Sequence, residues 1–369
     1  MKIKTITCHH SYNHGAMLQA YALVSYLQSL GHDVKVIDYH PIYQPECAVN
    51  FKFVPSRYNY PIINYLYCLA KHNKNKLEQR RRNVFEAFFN KFIPITDVKY
   101  CNIEDLNNNP PQGDLYIAGS DQIWNATFPN GKDPAYYLDF GSPKRKISYA
   151  ASFATNILLS GTESFVTKML NNFNSISVRE YSGLQILKSL GFNGVCVVDP
   201  VFLLDTENWN KLVNNVGYND NYILTYDYEI HNSQIGYVAK RLAKMYNCKL
   251  YSIGPYNLNY ADKSYVDLGP DSFVSLIKNA RCIVSNSFHA SAFSIIYNKD
   301  FFVVKRKDGL NDRMRDLLVH YGILERMIDR RTDNSILFKH INYDKLNSIL
   351  AKDIDYSKEF LNQEINCVK

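Results

Sequence analysis

The sequence predicts an α/β fold built as two halves with a cleft between them. Three observations point there. The chain opens as strand, helix, strand between Lys2 and Tyr39, a second alternating series of strands and helices begins at Tyr222, and a polar, Asn-rich stretch from about Leu203 to Asn221 lies between them as a hinge.

In the opening unit, Lys2–Thr7 is a short β run. Ala16, Ala20, Leu23, Leu27 and Leu30 fall at 4-3-4-3 spacing, one face of a helix, and Gly31 ends it. Val34–Tyr39 is the return strand. A βαβ unit implies a parallel sheet, whose ligands lie beyond the carboxyl ends of its strands. Residues 55–92 interrupt the alternation and read as a helical insertion, aromatic up to Leu69 and then basic at Lys71, Lys74, Lys76, Arg80, Arg81 and Arg82. Strand signals resume at 114–118, 146–150, 176–178 and 195–198, with a helix near Glu180–Leu190. The second half offers strands at 222–226, 249–252, 282–285 and 301–304 and helices at 234–246, 272–279 and 290–297. The domains are therefore expected at 1–205 and 206–340. A last helix within 341–369 is expected to pack back on the first half.

Composition excludes several classes. Of 369 residues, 46% are hydrophobic and 21% charged, which excludes a disordered chain. No apolar run approaches the ~18 residues of a membrane-spanning helix. Met1–Asn13 reads as a short strand, with no signal peptide visible. The net charge of 42 − 35 = +7 is modest over this length and the overall balance argues little; no nucleic-acid partner is expected. Eight cysteines without a Cys-x-x-Cys pair read as free thiols of a reducing cytoplasm. The basic stretch reads as a solvated helix surface, or as a patch that docks on anionic lipid at the inner face of the membrane.

Three loops at strand ends carry unusual polar residues. The first, Cys8-His9-His10-Ser11-Tyr12-Asn13-His14-Gly15, leads into a helix, and Gly15 allows close approach to the backbone. Cys8, His9, His10 and His14 have metal-ligand chemistry, yet no Cys/His partner pair stands elsewhere in the sequence, so no metal is expected. The second loop is Gly119-Ser120-Asp121-Gln122-Ile123-Trp124-Asn125, where Trp124 either stacks on a sugar or fills core. The third, Ser285-Asn286-Ser287-Phe288-His289-Ala290, places His289 at a strand end where a helix starts. Arg179 and Arg313 are candidate anion ligands. There is no Gly-x-Ser-x-Gly, Gly-x-Gly-x-x-Gly or Walker A sequence. Asp353-Ile354-Asp355 lies in a charged tail and is not taken as a metal motif.

Five stretches together resemble the polysaccharide pyruvyl transferase family. They are Asn13–Leu23; Gly119–Asn125; Ser177-Val178-Arg179-Glu180 with Asp199-Pro200; Ser287-Phe288-His289 with Ala292-Phe293-Ser294; and Asn311–Arg313 with Leu317-Leu318. They occur in family order and span most of the chain. The resemblance implies two Rossmann-like domains of GT-B type. It also implies transfer of a pyruvyl group from phosphoenolpyruvate to a sugar of a bacterial polysaccharide repeat unit, lipid-linked or free, as a cyclic ketal. No cofactor is implied, phosphoenolpyruvate being the donor substrate. By position, His289 is the expected acid/base and Arg179 the donor-anion ligand. Asn13, Gly15, Ser120, Asp121, Asn286, Ser287 and Arg313 line the substrates. Two departures stand out. Ser287 occupies a position where many members carry arginine, leaving Arg313 or Lys305 to supply that contact, and His14 replaces an aromatic residue. The alternatives are a nucleotide-sugar glycosyltransferase on the same architecture and a non-catalytic carbohydrate-binding protein.

Overall fold

A computed structural model describes residues 1–43, 61–213, 220–227, 229, 232–306, 311–329 and 332–368, with the backbone alone over 61–75. The first domain holds β1 (Lys2–Ile6), α1 (His14–Ser29), β2 (Asp33–Tyr39), α2 (Pro61–Phe92), β3 (Ile95–Tyr100), α3 (Ile103–Asn108), β4 (Leu115–Ala118), β5 (Arg145–Ser148), α4 (Glu163–Leu170), β6 (Ser177–Val178), α5 (Tyr181–Ser189) and β7 (Val195–Cys196). Its main sheet is parallel, in the order β3-β2-β1-β4-β5. A β6–β7 pair extends it through bridges from Ile147 to Ser175 and from Ala151 to Val178.

The connecting helix α6 (Thr206–Leu212) leads to the second domain. This comprises β8 (Tyr222–Tyr226), α7 (Ser233–Tyr246), β9 (Lys249–Ile253), β10 (Lys263–Tyr265), α8 (Pro270–Asn279), β11 (Cys282–Ser285), α9 (Phe288–Ile296), β12 (Asp300–Val304), α10 (Asp312–His320) and β13 (Met327–Ile328). The sheet is parallel, in the order β10-β9-β8-β11-β12-β13. In both sheets the chain reverses direction of growth beside the first strand, so the crevices beyond β1/β4 and β8/β11 are where such folds hold ligands.

Local sequence accounts for the elements that frame the cleft. Asn13 caps α1, its Oδ1 accepting from the backbone N–H groups of Gly15 and Ala16 at 2.9 and 3.2 Å. The 4-3 spacing marks only part of the buried surface of α1. Met17, Leu18 and Val24 are buried as well, because α1 lies between its own sheet and α8 of the second domain. One hydrophobic cluster accordingly runs through both domains, from Leu23 and Leu27 to Phe273 and Phe293.

Two expectations change. The hinge expected over 203–221 is in part a helix: Asp205 caps α6 and Trp209 within it is fully buried, while residues 214–219 lie outside the described residues. Within the expected insertion 55–92, residues 55–60 also lie outside the described residues and the rest is α2. Arg81 and Arg82 are turned inward along α2: Arg81 donates to the Tyr12 carbonyl, and the Arg82 guanidinium lies over the Tyr12 ring. No helix among the described residues is long and apolar enough to cross a membrane.

The last helix, α11 (Tyr343–Asn366), returns to the first domain. Glu364 accepts from Arg145 at 2.5 Å and from Ser175 at 2.8 Å, and the Val198 N–H donates to Ser357 Oγ at 3.0 Å. Trp209 ties the two domains on the other side. Its Nε1 donates to the Val201 carbonyl, and its ring packs on Tyr21 of α1 and Phe293 of α9, at 5.7 and 4.8 Å between centroids. Trp209→Ala therefore removes a packing unit shared by both domains and is expected to lower stability by about 3–5 kcal/mol. Trp209→Phe, which keeps most of the ring contacts, should lose only about half as much. Urea unfolding checks both, and an unchanged midpoint for Trp209→Ala would refute the shared packing.

Candidate active site

Asp199 is the residue on which the site converges. It follows β7 and opens a short 3-10 turn at Pro200, where its Oδ1 accepts from the Val201 N–H at 3.1 Å. Its Oδ2 accepts from Arg179 Nη1 at 2.7 Å and from Ser120 Oγ at 3.1 Å, and His289 Nε2 lies 3.6 Å away. The carboxylate is fully buried. Burial pushes its pKa up, but the imidazole of His289 and the guanidinium of Arg179 outweigh this and hold it well below the usual carboxylate range. Arg179 and Ser120 belong to the first domain and His289 to the second, so one buried oxygen gathers groups from both.

Arg179 leaves β6 into the same space. Its side chain is 1% exposed and has Asp121 at 3.8 Å and Glu180 at 3.7 Å. The guanidinium also lies over the Phe288 ring at 4.4 Å, a contact across the domain boundary. Arg313, at the start of α10, is buried beside it. The Gln122 amide, with its oxygen turned toward Arg313, accepts at 3.0 and 3.3 Å. Burial, with Arg179 adding repulsion, lowers the Arg313 pKa to about 10. Burial raises the Glu180 carboxyl against the opposing pull of Arg179, and its Oε1 accepts from Ser152 Oγ and the Ala154 N–H. Arg179 Nε and Nη2, Arg313 Nε and His289 Nε2 are buried without a hydrogen-bond partner. A narrow cavity of about 60 Å³ runs from Arg179, Asp199 and Phe288 past Arg313 to His320 and Asp353.

Gly15 meets His289 across the cleft. A Cβ built on Gly15 would stand 2.0 Å from His289 Nδ1, so the close approach expected at this glycine is made by the imidazole. Ser120 is fully buried: its carbonyl accepts from Thr7 Oγ1 while its hydroxyl reaches Asp199. Asp121 sits at a φ of 73°, which turns the β4 loop back toward Arg179. Asn13 spends its side-chain oxygen on the α1 cap. Asn286 donates to Asp227 Oδ1 at 2.9 Å, and the Ser287 N–H donates to Ser285 Oγ at 3.0 Å. These two brace the turn that presents His289. Of the two candidates to stand in for arginine at 287, Arg313 lies beside Arg179, whereas Lys305 is half-exposed and 4.0 Å from Asp329.

Trp124 is core: it is fully buried, stacks on Tyr137 at 5.4 Å and donates to the Tyr136 carbonyl. The Cys8–His14 group does not act as a set. Cys8 packs with the aromatic cluster of the first domain, and His14 stacks on Phe273 of the second, with Nε2 3.1 Å from the Leu268 carbonyl. His9 and His10 turn to Asp38 and His40 at the end of β2, a pairing that sequence reading missed. Asp353 of the Asp-Ile-Asp stretch lies 2.6 Å from His320 Nε2. Asp199 was visible as part of Asp199-Pro200, but its place at the junction of both domains was not.

The fold and this cleft define a two-domain α/β protein of GT-B type. A UDP-N-acetylglucosamine 2-epimerase from Rickettsia bellii superposes with a TM-score of 0.51 at 13% identity, covering 100% of this chain and 97% of that one. A UDP-GlcNAc 2-epimerase from Neisseria meningitidis gives 0.49 at 11% identity, covering 99% of this chain and 100% of that one. No curated protein matches the sequence. The model of the polysaccharide pyruvyl transferase family matches residues 13–308, and the chain belongs to that family.

Gly15→Ala tests the cleft geometry. Alanine in a helix is ordinarily more stable than glycine by about 1 kcal/mol. Here the methyl would overlap His289, and a net loss of about 1–3 kcal/mol is expected together with displaced His289 imidazole NMR signals. A more stable variant with unmoved His289 signals would refute the contact.

Proposed function

We propose that this pyruvyl transferase takes its pyruvyl group from phosphoenolpyruvate and sets it as a cyclic ketal on a sugar of a bacterial polysaccharide repeat unit, releasing phosphate. The observation that carries the reading is the buried arginine pair. Arg179 and Arg313 line one cavity together with Asp199, which His289 approaches, and both keep buried N–H donors without a partner, which a small multiply charged anion would satisfy. Guanidinium forks suit both phosphate and carboxylate.

The reaction needs a proton at the methylene carbon of the enol ether, and protonated His289 gives it. A sugar hydroxyl adds to the neighbouring carbon and loses its proton to the imidazole. The bond from that carbon to the phosphate oxygen breaks, and phosphate leaves held by Arg179 and Arg313. A second hydroxyl closes the ring at the same carbon and releases its proton. One hydroxyl proton thus replaces the one given to the methylene carbon, and the other leaves with phosphate. Asp199 orients His289 and offsets the cation it becomes. Ser120 and Asp121 hold Asp199 and Arg179 in place, Asn286 and Ser287 hold the turn of His289, and Asn13 and Gly15 shape the opposite wall. The acceptor is lipid-linked in this reading, with the exposed basic residues of α2, such as Lys76 and Arg80, facing a cytoplasmic membrane surface.

The test is phosphate release and the pyruvyl mass increment when candidate lipid-linked repeat units are incubated with phosphoenolpyruvate. His289→Ala, shown to be folded, should lower turnover by about 10²–10⁴-fold. Arg313→Lys should chiefly raise the KM for phosphoenolpyruvate. Wild-type turnover in His289→Ala, or release of UDP from a sugar nucleotide in place of phosphate, would overturn the reading.

A further inference from the structure

A second polar cluster lies apart from the arginine pair, at the carboxyl ends of β1 and β2. His9 and His10 follow β1; Asp38 and His40 end β2. One ligand atom from each lies within 4.8 Å of the others. All three imidazoles present Nε2 to the same oxygen, Asp38 Oδ1, from 3.8 Å (His9), 3.1 Å (His10) and 2.7 Å (His40). A tetrahedral ion with bonds of about 2.0–2.1 Å has edges of roughly 3.3 Å between ligand atoms; the three edges to Asp38 Oδ1 bracket that value, and the four ligand atoms, all within 4.8 Å of one another, would draw in around an ion.

His9 separates a metal site from a plain hydrogen-bond cluster. Its side chain is fully buried. Its Nδ1 lies 2.9 Å from the Thr7 carbonyl, which can only accept, so Nδ1 carries the proton. In the neutral ring Nε2 then holds a lone pair, and it is buried without a hydrogen-bond partner. A lone pair aimed at a carboxylate oxygen finds no favourable interaction there; a proton on Nε2 or a metal ion between the two removes the conflict, and the 3.8 Å gap is too wide for a hydrogen bond but leaves room for an ion. A carbonyl fixing the Nδ1–H tautomer is also the usual outer support of a metal-bound histidine.

We propose that His9, His10, Asp38 and His40 bind one divalent transition-metal ion of the zinc class. Three imidazoles and one carboxylate suit zinc, cobalt or nickel, and are a poor set for magnesium or calcium, which prefer all-oxygen shells. Four protein ligands close a tetrahedron, which marks a structural ion. Its structural task is readable from the chain: it ties the β1–α1 loop, which leads to Asn13 and Gly15 against His289, to the end of β2. The ion reaches the site through an open cavity of about 420 Å³, lined by His10, Asp38 and His40 together with Arg82, Glu86 and Lys99. This inference does not rest on the reaction proposed above, because its readout is the metal itself.

The experiment strips the full-length protein with a chelator and titrates it with Co²⁺. The expected result is one ion per chain with the strong visible absorption of tetrahedral cobalt, displaced by Zn²⁺ and untouched by Mg²⁺. Zn²⁺ should also raise the melting temperature and protect the β1–α1 loop from hydrogen exchange. His9→Gln and His40→Gln should each weaken Co²⁺ binding by at least ~10–100-fold. His320→Gln and His340→Gln, at histidine–carboxylate pairs elsewhere, should leave it unchanged. Absence of tetrahedral cobalt in the wild-type protein overturns the proposal, whether or not the variants fold. So does binding that survives the combined substitution of His9 and His40.

Discussion

The arrangement of this molecule depends on one buried negative charge. Asp199 is shielded from solvent, so its charge must be met by the protein, and the groups that meet it come from separate places: Ser120 after β4, Arg179 after β6 and His289 at the start of α9. A buried charge left uncompensated costs several kcal/mol. The two domains therefore close on each other for an electrostatic reason as well as a hydrophobic one. Gly15 makes the closure sterically possible, since any side chain there would occupy the volume of the His289 ring. The contacts that hold the two domains together are thus also the contacts that assemble the site.

The fold was legible where the local pattern and the packing agree. Strands such as β8 and β11 are fully buried and read as short apolar runs. The spacing in α1 and the polar break before α9 also survive. The elements that escaped notice are those whose sequences do not announce burial: edge strand β3, with three exposed residues in a row, and the short strands β10 and β13. Helix α6 was hidden for another reason. One aromatic, Trp209, supplies much of its burial, and a single tryptophan among asparagines and lysines carries no periodicity.

The site was legible in parts. Strand-end placement singles out His289, Arg179 and the Gly119–Asn125 loop, because such loops open onto the crevice in this kind of sheet. Which side chains meet in three dimensions is not encoded at that level. Cys8, His9, His10 and His14 are nearly adjacent in sequence yet part company: the loop turns between them, sending His14 into the second domain and His9 and His10 toward β2. Asp38 and His40 looked like the tail of an ordinary strand. Their polar side chains point the same way because residues two apart share a face of a β-strand.

The balance of donors and acceptors around Asp199 argues for what the cleft is built to hold. In a settled protein interior nearly every buried N–H has a partner, and an unmet one costs about 1–3 kcal/mol. Arg179 retains two such groups and Arg313 one, although Asp121, Glu180 and Asp199 are close by. The carboxylates are not arranged to satisfy them: Glu180 gives Oε1 to Ser152 and Ala154, and Asp199 gives one oxygen to its own turn. Asp121 Oδ1 and Glu180 Oε2 stand 3.8 and 3.7 Å from Arg179, beyond hydrogen-bond distance, so they meet its charge without satisfying its remaining N–H groups. Arg179 is paired with Asp199 at 2.7 Å, yet it and Arg313 keep buried N–H groups that no protein acceptor meets, and in the proposed reaction the donor anion is what meets them.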